Sequence, residues 1–319
     1  MRTASRLTLA FLLGVILTNA GCDRPGSASR GRRPEVHAKW PFDAKEAKQR
    51  QEETAKALGM PVEKTVDLGG GVKMEFALIP AGEFMMGSGD SIETLVRKSH
   101  SRLTGSLMFE NEYPQHRVRV TKPFYIAKYE VTQDQWEPVI GRNPAKFPGA
   151  RNPVEKVSWH DCQDFANRLS AKSSGLTCAL PTEAEWEWAC RAGTSTAFHT
   201  GEALSMEQAN CGGSYPYAGD VQSRHKTMPV GGFKPNAWGL YDMHGNVWEW
   251  CEDWYGEDYY KHSPKHDPRG PTTGGSRVIR GGSWDVHGMR CRSSSRDSFA
   301  PKARDNAGGL RVVLRIALD

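Results

Sequence analysis

Nowhere in this 319-residue chain are two cysteines spaced C-x-x-C, and no histidine pair forms H-E-x-x-H. The spacing of a zinc ribbon and that of a helical zinc protease are therefore both missing. Long apolar runs are scarce too: the main one, Leu7–Leu17, is too short to cross a bilayer. Charge of one sign is barely in excess, with 42 Lys+Arg against 37 Asp+Glu for a net +5. The surplus lies before residue 50 with no stacking motif beside it, which argues against nucleic acid as a partner. Neither Gly274-Gly275 nor Gly281-Gly282 leads into a Gly-Lys-Ser/Thr step, so no phosphate loop is present. No Ser–His–Asp order like that of a hydrolase surrounds Ser283.

What the chain does hold is glycine and tryptophan, 33 and 10 residues, a mix that suits a loop-rich fold pegged by aromatic rings. At the N-terminus Arg2 and Arg6 precede Leu7–Leu17, and Ala20-Gly21 then precede Cys22. This order predicts a signal peptide over 1–21, and Ala-Gly-Cys resembles the end of a bacterial lipobox, with Cys22 as the lipidated residue. The expected localisation is extracytoplasmic: a lipoprotein held at the bacterial cell envelope, with the membrane as a partner through the anchor. Six cysteines remain: Cys162, Cys178, Cys190, Cys211, Cys251 and Cys291. In an oxidising compartment an even set favours disulfides.

Residues 22–62 read as a tether followed by one solvated helix over 43–58, whose apolar positions are Ala residues and Leu58. The domain proper is expected over 63–319. Strands are predicted at Val72–Ile79, Glu83–Met86, His116–Val120 and Phe124–Val131. Three capping boxes, Thr132/Gln135, Ser158/Asp161 and Thr182/Glu185, predict helix starts. The second helix carries Cys162, Phe165, Ala166 and Leu169 on one face. Residues 89–112 read as a mobile insertion. Beyond about residue 193 turns dominate, with short strands at Arg277–Arg280 and Leu310–Ile316.

Six motifs follow in fixed order: IPAGEFMMGS (79–88), YEVTQDQW (129–136), NPVEKVSW (152–159), LPTEAEWEWACRAG (180–193), PNAWGLYDMHGNVWEWC (235–251) and RVIRGGSW (277–284). Through them the chain resembles the sulfatase-modifying-factor family, named for the formylglycine-generating enzyme, over residues 63–316. The resemblance implies an α+β fold, a variant of the C-type lectin fold low in regular secondary structure. It also implies a structural calcium ion held by Asp242, Gly245, Val247 and Glu249, a mixed oxygen set that suits this cation. A second family calcium site would begin at Asn210, but its carboxylate falls near Gln222 and is not carried over.

The family's oxidases hold copper(I) between two thiolates and convert a sulfatase cysteine to formylglycine. In GGSWDVHGMRC (281–291) the first thiolate position falls on Val286 and the second in a shortened stretch. Copper is therefore not expected, since valine supplies no thiolate. Cys291 matches a structural half-cystine whose family partner falls on Cys190, so a Cys190–Cys291 bridge is implied. The family's other bridge loses its half to Val312, leaving Cys162, Cys178, Cys211 and Cys251 with three connectivities. Two functions remain. The first is a binding or divergent member that recognises a protein or peptide at the envelope, with Ser283, Trp284 and His287 bordering a pocket. The alternative is an active family oxidase or metal-dependent oxygenase.

Overall fold

The computed structural model describes residues 34–99, 107–173, 175–216 and 223–318. The expected signal peptide, Cys22 and Gln222 lie outside the described residues. Helix α1 (Ala44–Leu58) is opened by Asp43, which accepts from the Glu46 amide at 2.8 Å, and closed by Gly59 in the left-handed region. Then come β1 (Glu63–Gly69), β2 (Val72–Ile79) and β3 (Gly82–Met86). The 89–112 segment holds α2 (Ile92–Ser99) and α3 (Leu107–Glu110), followed by β4 (His116–Val120) and β5 (Phe124–Ala127). Helices α4 (Gln133–Ile140) and α5 (Trp159–Ser170), strand β6 (Thr177–Ala179) and helix α6 (Glu183–Arg191) complete the first half. The second half is turns with β7 (Trp248–Trp254), β8 (Arg277–Arg280), β9 (Arg296–Phe299), β10 (Gly308–Gly309) and β11 (Val313–Arg315).

All three capping boxes form. The Asp161 and Glu185 amides donate to Ser158 and Thr182 at 3.2 Å each, and the Thr132 amide donates back to Gln135 at 3.1 Å. A five-stranded antiparallel sheet runs β1-β2-β5-β11-β6, beside a four-stranded sheet β10-β7-β8-β9 and a two-stranded antiparallel sheet of β3 with β4. Phe76, Leu78, Tyr125 and Leu314 face α4 and α5, where Trp136 stacks on Phe165 at 5.1 Å. Ala77, Ile79, Phe124, Ile126 and Val313 face α6 with Trp186 and Trp188. Burial on both faces explains why β2 ends in the unbroken apolar run Phe76–Ile79 rather than an alternation. Gly82 in the first motif is required by packing: a Cβ there would lie 2.5 Å from the Trp188 ring.

Two expectations are corrected. Helix α1 is docked rather than solvated: Ala47, Arg50, Gln51, Thr54 and Ala55 are buried. Gln51 donates to the Leu78 carbonyl at 2.9 Å, and Arg50 lies 3.9 Å over the Phe42 ring. Polar residues make this interface through a carbonyl and a ring face, so counting apolar positions missed it. The body accordingly starts before residue 63, since the His37 amide already donates to Ala81 at 3.1 Å. In the 89–112 segment, α2 and α3 send the buried Leu95 and Phe109 into a small third core.

Candidate functional site

The turn that leads into β7 is built from unusual backbone. Asp242, Gly245 and Asn246 all take positive φ, at 56°, 90° and 66°. Only glycine fits at 245, where a Cβ would lie 2.3 Å from the Asn210 carbonyl oxygen. The Asn246 amide donates to that same carbonyl at 2.7 Å. The Asn246 side chain is the hub. Its amide donates to Glu130 at 2.6 Å, and its oxygen accepts from Met228 N–H at 3.0 Å and from Asn210 Nδ2 at 3.1 Å. Glu130 also accepts from the Val247 amide at 3.0 Å.

Behind the turn, Glu249 is held by Arg311 Nη2 at 2.8 Å and Nε at 3.0 Å, and by Trp186 Nε1 at 2.6 Å. Asp242 accepts from the Gly231 amide at 2.6 Å. Two buried carboxylates, Glu130 and Glu249, and the half-buried Asp242 thus cluster around the Arg311 guanidinium. Burial pushes the Asp242 carboxyl up to about 6. Burial first, then the charges of Asp242 and Glu249, drives Glu130 well above the usual carboxylate range.

The four residues expected to hold calcium do meet on this turn and strand, but they are not equally available. Asp242 and the carbonyls of Gly245 and Val247 belong to the turn, whereas both Glu249 oxygens are engaged by Arg311 and Trp186. No group of three or more His, Cys, Asp or Glu among the described residues is arranged to hold a metal ion. The excess of carboxylate over guanidinium is the feature that fits a cation here; the engagement of Glu249 is the feature that does not. Asn210 serves this same turn through its carbonyl.

The segment after Gly281-Gly282 borders the turn, since the Trp284 amide donates to the Asn246 carbonyl at 3.0 Å. Its three candidate residues differ in placement. Ser283 is fully buried and donates to Asp285 at 2.6 Å, so its hydroxyl faces the protein. Trp284 is half-buried, with its ring edge-on to Phe147 at 5.4 Å and its Nε1 donating to Asn306 at 3.2 Å. His287 is half-buried against Gly213, and burial lowers its pKa. Val286 packs its aliphatic side chain against two core clusters, and its carbonyl accepts from the Gly212 amide at 2.7 Å. Val286 is therefore a packing residue. On the other side of the turn Tyr129 stacks on Tyr241 at 4.8 Å with Arg151 over it at 5.4 Å.

The implied Cys190–Cys291 bridge is not formed. All six described cysteines are buried free thiols. Cys190 hydrogen-bonds to Ser293 Oγ at 3.6 Å, whereas Cys291 shares a separate buried cluster with Cys211. Sequence reading assigned no role to Glu130, Asn246 or Arg311. Glu130 and Asn246 lie inside quoted motifs, which is the signal that could have found them. Arg311 has no such signal, because its partner is 62 positions away.

The sulfatase-modifying factor enzyme 1-like domain model matches residues 71–316. The chain is 37% identical over 195 residues to the formylglycine-generating enzyme of Streptomyces coelicolor, covering 56% of this chain and 60% of that protein. It is 31% identical over 234 residues to the chaperone protein LppX of Paenibacillus barcinonensis, covering 60% of this chain and 79% of the relative. It thus spans less than two thirds of the Streptomyces enzyme. Among solved structures, Treponema denticola variable protein 1 superposes with a TM-score of 0.67 at 28% identity, over 81% of this chain and 100% of that one. The motifs, the lectin-like α+β fold and the match across most of the chain agree: this chain belongs to the sulfatase-modifying factor enzyme 1-like family.

Proposed function

We propose that this chain is a binding member of its family that recognises a protein or peptide at the cell envelope, and not a copper oxidase. The observation that carries the reading is Val286, an aliphatic packing residue where an oxidase of the family places its first thiolate. Half-buried aromatic rings on both sides of the Asn246 turn, Tyr129 with Tyr241 and Trp284 with Phe147, supply a surface on which extended peptide can rest. A relative named as a chaperone supports binding as a role this fold performs, although fold alone does not decide function. The test is incubation of the purified chain with a Cys-x-Pro-x-Arg peptide, with and without copper, read by mass spectrometry. No aldehyde product is expected, while saturable peptide binding is. Conversion of the cysteine to formylglycine would establish the oxidase reading instead.

Two further assignments belong to this proposal. Calcium at the Asp242–Glu249 turn would offset its excess carboxylate charge and act as a structural ion. Calcium should then raise the melting temperature over that in chelator, and Asp242→Ala should abolish the difference. Equal melting in both would remove calcium from the account. Anchoring rests on Cys22 after an apolar export segment. Fatty-acid labelling of the chain in cells should be lost in Cys22→Ser; unchanged labelling would refute the anchor.

A further inference from the structure

We propose that Cys211 and Cys291 form a disulfide, which staples the 205–216 segment to the turn that follows Gly281-Gly282 and leaves Cys190 as a thiol. The two residues are fully buried in the same small apolar cluster, with Phe198, Tyr215 and Met289 around them. The two thiols perturb each other's titration in opposite directions, and the Cys211 thiol donates to the Gly213 carbonyl at 3.1 Å. The backbones that carry them are already joined: the Gly212 amide donates to Val286 at 2.7 Å, and the Gly288 amide donates to Gly213 at 2.9 Å. Gly282 makes room for the pair, since a Cβ there would lie 2.4 Å from Cys291 Sγ.

Cys190 is placed differently. Its sulfur meets Ser293 Oγ at 3.6 Å and the Met243 carbonyl at 3.9 Å, and burial pushes its thiol up to about 12. Cys211 is the better nucleophile, because its interaction with Cys291 holds its thiol below the usual value. The same interaction and burial raise the Cys291 thiol. Cys211 thiolate attacks an external disulfide, such as glutathione disulfide, forms a mixed disulfide and releases one thiol. Cys291 then gives up its proton and attacks Cys211 Sγ, which releases the second thiol. Two protein thiols are oxidised and one external disulfide is reduced to two thiols.

The bridge would bear on the site through Asn210, the neighbour of Cys211, whose carbonyl holds the Asn246 turn. The full-length purified chain is equilibrated in glutathione disulfide, alkylated and mapped without reduction. One cross-linked species joining Cys211 to Cys291 is expected, with Cys190 alkylated. Reductant should lower the melting temperature of this oxidised protein by on the order of 5–10 °C, because the bridge closes a loop of about 80 residues. Cys190→Ser should respond as wild type does, and Cys211→Ser should show no reductant-dependent shift. A Cys190–Cys291 cross-link overturns the proposal. So does alkylation of both Cys211 and Cys291, or a pair that stays reduced around one bound copper(I).

Discussion

The turn at Asp242–Glu249 and the segment at Gly281–Cys291 touch, yet they tell opposite stories about what the family resemblance preserves. In the first, the buried polar side chains are paired with one another. Asn246 is hydrogen-bonded on both its oxygen and its amide, and Glu249 is locked by Arg311 and Trp186. In the second, Val286 is an aliphatic packing contact, and Cys291 shares its buried cluster with Cys211 rather than with Cys190. Motifs that hold backbone in strained or buried polar arrangements are costly to alter, because each loss strands a partner in the interior. Retained motifs therefore speak for the fold, and fold alone does not decide activity.

Breaking the first region should cost most. Arg311→Ala leaves Glu249 buried without its counter-ion, and a loss of about 3–5 kcal/mol is expected by urea denaturation. A loss under 1 kcal/mol would show that the turn does not depend on this pair. Asn246→Ala removes the hub while keeping volume small. It strands Glu130 and the Met228 amide, and about 2–3 kcal/mol of destabilisation should follow. Asn246→Asp should not rescue it, since a carboxylate would face Glu130 at the donor position.

The second region sharpens the comparison with smaller effects. His199, whose amide donates to His244 beside the Cys291 carbonyl, borders this region, and burial holds its imidazole down to about 4. The unfolded chain takes up this proton first, near 6.5, so the stabilising contribution is complete above that pH and is lost as pH falls toward 4. His199→Asn should leave stability at pH 7 unchanged and raise it by up to about 2 kcal/mol at pH 5. An equal change at both values would refute the titration account. Val286→Cys is a smaller shift still: loss of packing by about 1 kcal/mol, with no formylglycine product when copper is supplied. Product formation by this single variant would show that the oxidase site is otherwise intact.

Much of the architecture was legible in the chain. Three capping boxes placed α4, α5 and α6 because the cap is a local exchange of hydrogen bonds between residues three apart. The stripe Cys162, Phe165, Ala166 and Leu169 is buried as its spacing requires. Strand β5 ends at Ala127 rather than Val131, because the Val131 amide leaves the sheet to pair with Leu310. Helix α1 was misjudged because its buried face is polar, and its partners, Leu78 and Phe42, are not visible in its own periodicity.

By itself, then, the sequence determined the family, the helix starts and the glycine-dependent turn. These are properties of short segments, in which residue type and spacing carry the physics directly. Only the tertiary structure decided that Arg311 neutralises Glu249, that Glu130 joins Asn246, and that Cys291 meets Cys211 instead of Cys190. Each of these contacts spans more than sixty residues and arises where the sheets and turns bring distant backbone together. The energy of such a pair is settled by burial and mutual orientation, which no local pattern encodes.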